Sequence, residues 1–75
     1  MSLSFFERET LTQLVSTKSV PGQIDRLELA RSIRRSLADD ELEAVKRMVY
    51  SEFGPVSFET SQDERAPVLI WRRND

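Results

Sequence analysis

An α+β fold, three helices followed by a C-terminal β-hairpin, is what this sequence predicts, and three observations predict it. Apolar residues recur at helical spacing from Ile24 to Phe53. Ahead of them, Ser4-Phe5-Phe6-Glu7 has the spacing of a capping box and opens a further helical stretch. Beyond Gly54-Pro55 the helical period disappears: Val56-Ser57-Phe58-Glu59-Thr60 alternates, and Val68-Leu69-Ile70-Trp71 is continuously apolar. At 75 residues, the chain has room for a single domain spanning 1–75. A domain of that size buries only about 60% of its unfolded surface, so it is marginal without help.

The first helix is expected from Phe5 to about Thr17, with Phe6, Leu11, Leu14 and Val15 on its apolar face. Glu7, Thr10 and Lys18 interrupt that face, and Phe5 points away from it. The helix either packs on the pair that follows or meets a partner. Ser19-Val20-Pro21-Gly22 closes it with a turn, since Pro21 biases Val20 toward extended geometry. The second helix is expected from Ile24 to Leu37, its apolar arc assigned to Leu29, Ile33, Leu37, Ala30, Leu27 and Ile24. The third runs from about Asp40 to Phe53 on Leu42, Val45, Val49 and Phe53. The apolar stripe changes phase at Ala38 to Asp40, so two helices fit better than one. Asp39 and Asp40 suit the N-cap, and Glu41 and Glu43 suit the positive end of the dipole.

Gly54-Pro55 is a helix stop. In the hairpin, Val56 and Phe58 are expected to face the helices, with Ser57 and Glu59 outward and a polar loop over Ser61 to Pro67. The second strand has no polar face: Val68 and Ile70 point one way, Leu69 and Trp71 the other. Either the helices cover both sides, or Leu69 and Trp71 meet a partner. A homodimer through this strand and its free edge is the corresponding expectation. The predicted core is Phe6, Leu14, Leu27, Ile33, Leu37, Leu42, Val45, Val49, Phe53, Val56, Phe58 and Ile70. Three helices followed by a hairpin is an order that resembles winged-helix domains.

Composition narrows the function. Without histidine the commonest general base near neutral pH is missing, and without cysteine there are no thiol nucleophiles or thiolate metal sites. So small a core leaves little volume for a substrate pocket. No enzyme, metal, cofactor or small-molecule substrate is therefore expected. No apolar run approaches the roughly 18 residues of a membrane span. The first helix also lacks the basic polar face of an interfacial helix. The absence of cysteine and of a secretory signal pattern at the start suits the cytoplasm.

Eleven basic against thirteen acidic residues give a net charge of −2, which weighs against nucleic acid. In a winged helix the third helix enters the major groove, yet here Asp39, Asp40, Glu41 and Glu43 lead it. Arg65 in the hairpin loop is flanked by Asp63 and Glu64. Arg31, Arg34 and Arg35 fall within about 100° on the second helix and form an arginine stripe. Glu28 could pair with Arg31, and Asp39 with Arg35, leaving a solvated face; otherwise the stripe is a site for an anion or an acidic partner, which Lys46, Arg47, Arg65, Arg72 and Arg73 could extend. The sequence thus points to a small regulatory or adaptor protein that binds another protein. Its candidate contacts are Leu69, Trp71, Arg31, Arg34, Arg35 and Arg72. A winged-helix-like nucleic-acid binder is the alternative.

Overall fold

The computed structural model describes residues 3–59 and 67–74. In chain order the elements are α1 (Phe5–Ser16), β1 (Gly22–Ile24), α2 (Arg26–Ile33), α3 (Asp39–Phe53), β2 (Val56–Glu59) and β3 (Leu69–Arg73). The fold is α+β, with three helices against an antiparallel sheet of order β1-β3-β2. The hairpin β2–β3 follows the helices as expected; Thr60 and the loop up to Ala66, Arg65 included, lie outside the described residues.

The short strand β1 is the main departure in element order. Ile24 does not open a helix because Asp25 caps one: its carboxylate accepts the Glu28 N–H at 2.7 Å, with Asp25 itself extended. That leaves Gly22–Ile24 free to pair with β3, with Ile24 opposite Leu69 and buried. At the other end, α2 stops at Ile33 because Arg34 turns left-handed, at φ 62° and ψ 32°. Leu37 is therefore buried from the connecting segment, not from a helix. The phase change at Ala38 to Asp40 is a true break. Asp39 and Asp40 occupy the first two positions of α3, and Ala38 stands at the N-cap.

Register decides which face of β3 is inside. Phe58 and Gly22 both stand opposite Trp71, and Ile24 opposite Leu69. Residues directly opposite share a face, so Leu69 and Trp71 point inward with Phe58 and Ile24. They are 1% and 0% exposed. This corrects the assignment of Leu69 and Trp71 to a partner surface. The pleat is offset by one residue from the expected one, which sends partly exposed Ile70 to the outer face beside Gln23 and Glu59. Being central, β3 has neighbours on both edges, so a dimer formed by pairing that strand loses its basis.

Trp71 stacks on Phe53, with centroids 6.1 Å apart and planes at 20°. Its other neighbour is Gly22, where a Cβ would come within 2.5 Å of the indole and 2.4 Å of the Ser19 carbonyl. Gly22 therefore makes room for a ring and does not act as a flexible joint.

Two further core assignments are corrected. Phe6 is 77% and Leu27 59% exposed. On α1 the buried residues are Leu11 and Val15, and Phe6 lies about 140° from Leu11 around the helix. On α2 only Leu29 is fully buried, and Leu27 lies about 160° from it. Leu42, Val45, Val49 and Val56 are buried as expected, with Leu14, Ile33, Phe53 and Phe58 packed on them.

Candidate partner-binding surface

Of the six residues singled out above, Leu69 and Trp71 are core. The four arginines divide three ways.

Arg35 is structural. Its Nε and Nη2 donate to the Glu7 carboxylate at 2.6 and 3.1 Å. Its Nη1 donates to Glu41 Oε1 at 3.0 Å, and Nη2 reaches the other Glu41 oxygen. Both glutamates are also the third residues of their helices. Glu7 Oε1 accepts the Ser4 N–H at 3.0 Å, and Ser4 Oγ accepts the Glu7 N–H at 3.1 Å, completing a capping box. Glu41 accepts the Ala38 N–H at 2.8 Å, while the alanine side chain has no acceptor and its carbonyl takes the Glu41 N–H at 3.0 Å. One guanidinium thus ties the N-termini of α1 and α3 through their capping carboxylates, and Glu41 is 2% exposed. Hydrogen bonds from Arg35, followed by those from the Ser4 and Ala38 N–H groups, hold the Glu7 and Glu41 carboxyls down at about 2. The two carboxylates in turn raise the guanidinium, Glu41 more than Glu7. Arg35 is thereby withdrawn from the set of partner contacts.

Arg72 stands apart. It lies on the outer face of the sheet, exposed, opposite Ser57 and within 3.8 Å of Glu59.

Arg31 and Arg34 remain together. Both are exposed, Arg31 in the last turn of α2 and Arg34 at its C-cap, and neither has an ion pair among the described residues. The carboxylates expected to neutralise the stripe are engaged elsewhere. Glu28, the predicted partner of Arg31, is taken by Lys18 at the end of α1. Asp39, the predicted partner of Arg35, pairs with Arg26 at 3.4 Å. Glu43 pairs with Lys46 at 3.2 Å. Leu27 sits one turn before Arg31 on the same side of the helix. Sequence reasoning missed Leu27 by drawing the apolar arc of α2 too wide. Centring that arc on Leu29 and Ile33 leaves Leu27 in line with Arg31, and Arg34 follows at the C-cap.

The first turn of α3 exposes Asp39 and Asp40, and Glu43 follows on its outer side. Between α1 and α3 run grooves of about 510 and 260 Å3 that share Arg8, Ala44 and Arg47. Their walls carry Asp40, Glu41, Glu43 and Glu52 beside the two arginines, so acidic groups outnumber basic ones. Among the described residues no cluster of acidic side chains could hold a metal ion. No described helix is long and apolar enough to cross a membrane. Comparison with protein-family models, with curated proteins and with solved structures gives no match.

Proposed function

We propose that this chain is a small, non-catalytic regulatory or adaptor protein of the cytoplasm that binds another protein through the α2 face of Leu27, Arg31 and Arg34. The observation that carries this reading is the backbone of Arg34. A left-handed conformation ends helices readily at glycine or asparagine, and a side chain bearing Cβ is strained there by about 1–2 kcal/mol. Arg34 holds it with an exposed side chain that makes no ion pair among the described residues. The strain therefore returns nothing to the fold through that guanidinium, and a role in binding accounts for its presence. Exposed Leu27 supplies an apolar seat beside two cations, the composition of a contact that needs both burial and charge.

The second reading is a winged-helix-like nucleic-acid binder, and the α2–turn–α3 order before the hairpin favours it. The acidic residues Asp39, Asp40 and Glu43, exposed where α3 would meet phosphates, count against it.

The test is affinity capture from the source cell with the wild-type chain and with Arg31→Glu plus Arg34→Glu. The expected outcome is a partner protein that the variant fails to retain, while both chains have the same circular dichroism and melting temperature. If duplex DNA binds near physiological salt, and the same variant abolishes that binding, the nucleic-acid reading replaces this one.

A further inference from the structure

We infer that a second copy of this chain covers the α2 stripe, presenting the outer face of its α3. The inference rests on reading Leu27, Arg31 and Arg34 as a binding face, and it names the occupant.

Spacing and charge match between the two segments. Leu27 and Arg31 stand four positions apart on α2, and Arg34 follows three positions later at the C-cap, beyond the last helical residue. Along α3 the exposed residues Asp40, Glu43 and Arg47 are separated by three and then four. Laid antiparallel, Arg34 comes level with the Asp39-Asp40 turn, and Arg31 comes level with Glu43. Leu27 then falls level with Arg47, and Tyr50 follows one turn further along α3. Helical side chains lean toward the N-terminus, so the tyrosine ring inclines back over Leu27. Leu27 and Tyr50 are 59% and 54% exposed, so both leave water only if such a contact forms.

A two-fold axis would make each contact twice, α2 of either copy lying on α3 of the other. The acidic residues already have partners within the chain, Arg26 for Asp39 and half-buried Lys46 for Glu43, and Asp40 is engaged as well. Surface pairs of this kind are weak and exchange readily, so they do not block the contact. The same acidic turn that opposes a phosphate backbone is what the stripe requires of a protein surface.

The interface is small and charged, so association is weak and salt-sensitive. Sedimentation equilibrium up to about 1 mM chain in low salt is the measurement, a range that detects association as weak as about −4 kcal/mol. The wild type is expected to dimerise and to dissociate as salt is added. Arg31→Glu alone and Glu43→Arg alone are each expected to weaken the dimer about tenfold, since each sets like charges opposite one another twice. Mixed in equal amounts, the two variants place opposite charges at both contacts, and dimerisation should return. A wild type that stays monomeric throughout overturns the inference, as does a dimer indifferent to both substitutions or a mixture no tighter than its components. A monomeric wild type whose captured partner is still lost with Arg31→Glu plus Arg34→Glu overturns the self-association alone and leaves the binding face standing.

Discussion

Replacing Trp71 with alanine is expected to unfold most of the population at room temperature. The indole is fully buried against Phe53 and Gly22 at the centre of the sheet. Truncating a buried aromatic of this size costs about 3–5 kcal/mol through lost transfer energy and an unfilled cavity. Domains are stable by only about 5–15 kcal/mol, and one of 75 residues belongs near the lower end. Trp71→Phe should cost much less. It keeps most of the ring, and it removes an indole N–H that has no hydrogen-bond partner among the described residues. Urea denaturation followed by far-ultraviolet circular dichroism separates these outcomes without using the tryptophan as probe. An alanine variant as stable as wild type would place Trp71 back on the surface, where the sequence alone had allowed it.

Removing Arg35 is expected to have the next largest effect, and one whose size depends on pH. Arg35→Met leaves Glu41 buried and charged with the Ala38 N–H as its remaining side-chain hydrogen bond among the described residues, and it unties the two helix starts. The loss at neutral pH should far exceed that of Arg31→Ala, which should stay within about 0.5 kcal/mol as an exposed change. The sign of the pH dependence follows from the two depressed carboxyls. Glu7 and Glu41 titrate at about 2 in the folded chain, against 4.5 ordinarily. Their contribution is complete above about 4.5 and is lost as pH falls toward 2. Wild-type stability should therefore drop across that window. Arg35→Met removes the largest cause of the depression, and protonating Glu41 relieves a stranded charge, so the gap between the two proteins should narrow on acidification. A gap that is constant from neutral pH down to 2 would mean that the guanidinium does not hold the carboxylates.

Local chemistry made much of this fold readable. The Ser4–Glu7 capping box, the phase change before Asp39 and the Gly54-Pro55 stop depend on residues close in sequence, and all three stand where expected. Strand β1 also had a local sign, because Asp25 and Glu28 have the spacing of a helix start and exclude Ile24 from α2. Three residues are too few for an alternation pattern to outweigh the apolar arc that claimed them. The orientation of Trp71 had no local sign at all. A run apolar on both faces fits either pleat, and only its pairing with Phe58 and Gly22 selects one.

The candidate surface was half legible for a similar reason. Helical spacing grouped Arg31, Arg34 and Arg35. What separates them is long-range: Glu7, 28 residues away, draws Arg35 in. The left-handed turn at Arg34 detaches it further, and nothing in the residue type announces that turn.

The proposed binding role of the Arg34 side chain comes at the expense of the fold, and Arg34→Gly separates the two. Glycine adopts the left-handed conformation without strain, so the variant should be as stable as wild type or up to about 1 kcal/mol more stable in urea. Held at equal concentration in the capture experiment, it should retain markedly less of the partner than wild type does. A variant that is destabilised, or one that is stabilised yet captures the partner undiminished, would contradict that proposal.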